Sequence, residues 1–115
     1  MIVIPRKNKQ FKWPVTISEP QDGGTVKNTK ITVTFKPLSK TEIQEAMRME
    51  AESGHDYLDE VLLGWDDQAF AADDGSSFIY SDENKKVLLE FPFIRNALTR
   101  EYFNAINGNA FQRKN

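Results

Sequence analysis

In residues 11–17 every second position is apolar, with Phe11, Trp13, Val15 and Ile17 alternating with Lys12, Pro14 and Thr16. Successive strand side chains point to opposite faces, so this pattern predicts a strand over about 11–18 with one dry face. Pro14 has no N–H to donate, which places the strand at a sheet edge or at a bulge. Ile31, Val33 and Phe35 alternate in the same way with Thr32 and Thr34, predicting a second strand, rich in β-branched residues, over about 29–36. Between them, Pro20 fixes one φ while Gly23 and Gly24 admit positive φ. The chain therefore reverses, and the two strands read as a β-hairpin with a long loop that has room for a third short extended piece at Val26.

Beyond Lys36-Pro37-Leu38 the period changes. Ser39 followed three residues later by Glu42 is a capping box, in which each side chain satisfies a free backbone N–H of the other residue. It opens a predicted helix over about 40–53, with Ile43, Ala46 and Met47 on a broken apolar stripe and Gly54 as its stop. Asp56 starts a short second helix over about 56–63, carried by Tyr57, Leu58, Val61 and Leu62. Residues 65–77 have no period and end in the turn signal Asp73-Asp74-Gly75, so they read as a loop, followed by a brief extended piece at Phe78, Ile79 and Tyr80. Ser81 caps a third helix over about 82–91 bearing Val87, Leu88 and Phe91, with Asp82 and Glu83 at the positive end of its dipole. Pro92 ends or kinks it. From Phe93, the residues Ile94, Ala97, Leu98, Tyr102, Ala105 and Ile106 form the longest helical stripe, predicting a fourth helix over about 93–107 closed by Asn107-Gly108. A hairpin followed by helices, with no repeat or linker between, is an α+β arrangement, read as a single domain over 1–115 with flexible ends at 1–10 and 109–115.

A chain of 115 residues with 39% hydrophobic positions has the material for one core and buries about two-thirds of its unfolded surface. Without cysteine neither disulfides nor thiolate metal sites support that core, which fits a reducing compartment. The opening apolar run, Met1, Ile2, Val3 and Ile4, is far shorter than the hydrophobic region of a signal peptide, and no stretch approaches the length needed to cross a membrane. The expected setting is cytoplasmic. A formal net charge of -2 gives no general attraction to phosphate backbones or anionic lipid. Arg6, Lys7 and Lys9 near the start lack interleaved aromatic residues, so nucleic acid and membrane are not expected partners.

Reactive constellations are missing from the pattern. His55 is the only histidine, and with no cysteine and no Gly-x-Ser-x-Gly elbow it reads as a surface or capping residue. Asp66, Asp67, Asp73 and Asp74 suggest calcium at first. Aligning Gly75 with the glycine of an EF-hand loop, however, puts Phe70 at the first ligand position and Ser81 at the glutamate position, so the motif fails. No glycine-rich phosphate loop occurs, and Asp22-Gly23-Gly24 is accounted for by its turn. No metal, cofactor or catalytic residue is expected, and the chain reads as a protein that holds other chains.

Aromatic residues crowd the second half. Most are expected in the core, but Phe103 lies one step off the stripe of the fourth helix and Phe111 lies beyond its stop, so at least one is expected to be exposed as an interface anchor. Trp65, Phe70, Phe103 and Phe111 are the candidate partner-binding residues.

The order of these features resembles the tail assembly chaperones of long-tailed bacteriophages. The resemblance is carried by Phe11-Lys12-Trp13-Pro14-Val15, the Asp22-Gly23-Gly24 loop, Phe35, the central Gly64-Trp65, and Asp74-Gly75 before Phe78. Ser81-Asp82-Glu83-Asn84, Leu88-Leu89, the run from Pro92 to Tyr102 and the ending Arg113-Lys114-Asn115 complete it. It spans about 11–115, and its weight lies in order and spacing. It implies a non-catalytic protein of a phage or prophage that coats the tape measure protein, keeps it soluble, helps recruit tail tube subunits and is absent from the finished virion. It further implies a homo-oligomer, with tail tube contact through a longer form made by a ribosomal frameshift, for which an adenine-rich run encoding the ending is the expected site. The alternatives are a structural phage component, such as a tail completion or head–tail connector subunit, and, from another class, a small enzyme using Asp66 and Asp73 on a metal.

Overall fold

The computed structural model describes residues 1–4, 9–54 and 56–108. His55, Phe111 and the expected flexible stretches 5–8 and 109–115 lie outside the described residues. Strands β1 (Phe11–Pro20), β2 (Val26–Phe35) and β3 (Leu62–Trp65) form one antiparallel sheet in the order β1-β2-β3. Helices α1 (Lys40–Ser53), α2 (Leu58–Val61), α3 (Asp82–Leu88) and α4 (Pro92–Ile106) complete an α+β fold.

The hairpin follows the two-residue period. Trp13 faces Val33 and Val15 faces Ile31 across the ladder, and directly opposed residues share a face, so both apolar rows meet on one side. Val15, Ile17, Ile31, Val33 and Phe35 are buried there, while Lys12, Pro14 and Thr16 are exposed. β1 has a single neighbour, and Pro14 therefore sits on an edge strand. The strands run further than their patterns do. β1 continues to Pro20, β2 begins at Val26 instead of leaving a separate piece there, and a 3₁₀ turn at Asp22–Gly24 joins them. Gly23 and Gly24 both hold positive φ, 84° and 86°, which glycine adopts without a Cβ penalty.

The predicted helix over 56–63 is corrected: only Leu58–Val61 is helical, and the chain then enters β3, a strand the pattern does not predict. Val33 pairs with Trp65 and Thr34 with Gly64, but Phe35 pairs with Leu62, leaving Leu63 as the extra residue of a β-bulge. A regular strand would turn Leu62 and Trp65 to opposite faces. The bulge turns both to the core, where Leu62 is fully buried and Trp65 nearly so. The predicted helix overlaps this strand at Leu62 and Leu63, where Leu58, Val61 and Leu62 continue a helical spacing.

α1 matches its prediction. Ser39 N donates to Glu42 Oε1 at 2.9 Å, Glu42 N donates to Ser39 Oγ at 3.2 Å, and Gly54 closes the helix at φ 73°. Only Ala46 of α1 is buried, so polar ties help to hold the helix down. Arg95 on α4 reaches Glu50 at 2.8 Å and Asp56 at 2.6 Å. α3 stops at Leu88, three residues before its predicted end. Phe91 is extended (φ -94°, ψ 110°) and Pro92 opens α4, because a proline ring disfavours the helical region for the residue before it.

α4 lies on the buried face of the sheet, and the Trp13 indole N–H donates to Glu101 at 3.1 Å. Tyr102 packs edge-on against Phe35 at 5.1 Å, and its hydroxyl donates to the Lys36 carbonyl at 2.8 Å. Burial pushes the Tyr57 phenol up, with the Thr99 hydroxyl pulling the other way, and burial likewise raises Tyr102. A phenol that keeps its proton in the folded state contributes in full below its unfolded pKa of about 10, and that contribution is lost as pH rises further. Alkaline titration is therefore expected to show two phenols whose tyrosinate absorbance appears only as circular dichroism reports unfolding. Complete ionisation of every tyrosine in a still-folded chain would contradict this packing.

Candidate functional site

An open apolar groove of about 730 Å³ runs between the hairpin, the loop after β3 and the junction of α3 with α4. It is lined by Ile17 and Ile31 of the hairpin, Phe70 and Phe78 of the loop, and Val87, Leu88, Phe91 and Phe93 of the helical junction. Glu19, Lys27 and Asp73 mark its edges.

Local sequence builds each wall. Pro92 disfavours the helical region for Phe91, a residue that is 47% exposed and whose ring meets that of Phe93 edge-on at 6.1 Å. Val87, on the solvent side of the seven-residue α3, is 50% exposed. Leu88 beside it is buried. On the loop side Trp65 is the anchor. Its ring contacts Phe70 at 5.4 Å, Phe78 at 6.2 Å and Tyr80 at 5.1 Å, and its indole N–H donates to the Phe78 carbonyl at 2.9 Å. A backbone bond from Phe78 N to Phe70 O at 3.2 Å and a bridge between Ala71 and Ser77 close this loop on itself. The brief extended piece expected at residues 78–80 is not found: the bridge ends at Ser77 and residues 78–80 form no strand.

Of the sequence-derived partner-binding residues, the structure brings Trp65 and Phe70 together and separates Phe103 from them. Phe70 lines the groove directly. Trp65 is only 6% exposed and acts from beneath, so its role as a contact residue is corrected to that of a support. Phe103 is half-buried against Tyr57 at 5.5 Å and Tyr102 at 6.0 Å, and the expectation that at least one of Phe103 and Phe111 is exposed turns on Phe111, which lies outside the described residues. Among the described residues Val26, Met47, Ile79, Val87 and Phe91 are apolar and about half exposed, and of these Val87 and Phe91 line the groove. Their signal is present in the sequence: Val87, Leu88, Leu89, Phe91 and Phe93 are too many apolar residues for one face of a short helix, and the surplus has to look outward.

Polar chemistry in the region is sparse. Asp74 accepts from the Ser76 hydroxyl at 2.6 Å and from its N–H at 2.9 Å, and these bonds hold its carboxyl below the usual range. The acidic loop is thus a hydrogen-bonded turn. Among the described residues no group of three or more acidic or histidine side chains is placed to hold a metal ion, and no helix is long and apolar enough to cross a membrane. Pockets for small ligands usually fix orientation with a few convergent polar groups. The charged side chains of this groove, Glu19, Lys27 and Asp73, are all exposed, so its walls suit an extended apolar surface better than a small polar molecule.

No protein-family model, no curated protein and no solved structure matches this chain.

Proposed function

We propose that the chain is a non-catalytic assembly chaperone of the phage tail type, which shields apolar helix faces of a tape measure protein in the cytoplasm of a host bacterium. The observation that carries the reading is the groove, which the half-exposed Val87 and Phe91 line together with Ile17 and Ile31. An amphipathic client helix presents apolar anchors at every third or fourth residue, and a hydrophobic groove accepts them. The groove is open and its charged lining residues are exposed, so each contact is weak and unselective. That suits many copies distributed along one long client. The net charge of -2 adds little to the solubility of such a complex, which comes mainly from hiding apolar surface. Recruitment of tail tube protein through a frameshifted longer form belongs to the same proposal and rests on the sequence resemblance alone.

The test is co-expression with a tape measure fragment. The wild-type chain is expected to keep the fragment soluble and to co-purify with it. The variants Val87→Asp and Phe91→Asp are expected to keep the wild-type circular dichroism spectrum and to lose at least about tenfold in retained fragment, the effect of roughly 1.4 kcal/mol or more of binding. Retention equal to wild type by both variants would remove the groove from the reading. A second reading, a structural tail or connector subunit, is favoured by the outer edge of β1, which pairs with no further strand among the described residues, since an open strand edge is a ready assembly contact. Mass spectrometry of purified virions separates the two, because a connector remains and a chaperone does not.

A further inference from the structure

Residues 1–4 are a second apolar feature. Met1, Ile2, Val3 and Ile4 are each at least 82% exposed, whereas Val26, the next most exposed large apolar residue among those described, reaches 57%. Four consecutive aliphatic side chains in water are a surface in search of cover. Ile2, Val3 and Ile4 are β-branched and favour extended backbone, which would turn Ile2 and Ile4 to one side, spaced to enter an apolar slot. The residues that follow in sequence, Arg6, Lys7 and Lys9, are basic. Of the charged residues that line the groove, Glu19 and Asp73 are acidic and Lys27 is basic, and the same loop carries Asp66, Asp67 and Asp74 outside the lining. One chain thus holds an apolar segment with a basic flank and an apolar groove whose charged lining, Glu19 and Asp73 with Lys27, carries one net negative charge.

We propose that residues 1–4 of one copy pack into the groove of a second copy. Segment and groove are different surfaces, so the contact is heterologous and propagates from copy to copy until a ring closes or a chain of subunits grows, unless two copies exchange segments reciprocally. The inference rests on the reading of the groove as a docking surface. It adds a regulation of that site: without a client the groove is covered by a neighbour, and a client enters by displacing the segment, so self-association and client binding oppose one another.

Light scattering on the full-length chain tests this. Wild type is expected to be an oligomer whose mass falls on dilution, and Ile2→Asp/Ile4→Asp and Val87→Asp are each expected to associate at least tenfold more weakly. The decisive arm mixes the two variants, since one keeps an intact groove and the other an intact segment, and restored hetero-association is expected. A wild-type chain that stays monomeric at every concentration overturns the proposal, whether its segment is free or folded onto its own groove. Failure of the mixture to associate, with both variants folded by circular dichroism, overturns it as well. A monomer that still solubilises the tape measure fragment would defeat this inference alone. An oligomer built through the segment that leaves the fragment insoluble would defeat the chaperone reading alone.

Discussion

Replacing Trp65 with alanine is expected to lower the unfolding free energy by about 3–5 kcal/mol, the usual cost of deleting a large buried aromatic side chain. That is a large share of the roughly 5–15 kcal/mol by which domains are stable, so the variant should melt many degrees below wild type or fail to fold. The cause is specific to this position. Three aromatic rings, Phe70, Phe78 and Tyr80, rest on one indole, and the indole N–H donates to the Phe78 carbonyl. Without that ring the loop after β3 loses the core it is packed on, and Phe70 and Phe78 no longer form a wall of the groove. Trp65→Phe separates the two contributions. It retains ring packing and removes the donor, at an expected cost of about 1–2 kcal/mol. Urea denaturation followed by circular dichroism measures both. A Trp65→Ala chain within about 1 kcal/mol of wild type, small for a core deletion, would show that the aromatic cluster does not hold the loop.

Lys85→Met is expected to cost about 2–4 kcal/mol, although the substituted side chain is apolar and of similar length. Lys85 is only 7% exposed, with its ammonium donating to the Asp59 carbonyl at 3.0 Å and the Leu62 carbonyl at 2.9 Å beneath the Tyr80 ring, 5.6 Å away. The last carbonyls of a helix lack partners within it, and here α2 gives way to β3 within one residue. Lys85 supplies the donors at that transition, binding α3 to the point where helix becomes strand. A methionine fills the space and leaves those acceptors without their ammonium. Buried charges carry a desolvation penalty that apolar replacements avoid, so a Lys85→Met chain as stable as wild type would mean that this penalty cancels the hydrogen bonds. Hydrogen exchange adds a second readout, because the amides of residues 58–65 should lose protection before those of the hairpin.

Both residues mark the stretch where sequence reasoning was weakest. Lys85 reads as an ordinary helix lysine, since nothing within four residues of it announces two carbonyls more than twenty positions earlier. The sequence pattern splits β3 between a helix end and a loop, because Leu58, Val61 and Leu62 have helical spacing while Trp65 opens a stretch with no period. Of the groove, Phe70 stands out in the sequence. Val87 and Phe91 fit a helical stripe by spacing, and their exposure follows from where α3 stops and how α4 turns away at Pro92.

The order of residues alone determined the hairpin, α1 with both its caps, the start of α3 and the whole of α4, because period, capping and turn chemistry act between neighbours within about four positions. The third strand, the partners of Lys85, the anchoring of the loop on Trp65 and the existence of a groove were decided by the tertiary structure. Each depends on groups more than ten residues apart in sequence being held at one place by the packing of the rest, and a local pattern carries no record of which distant surface will meet it.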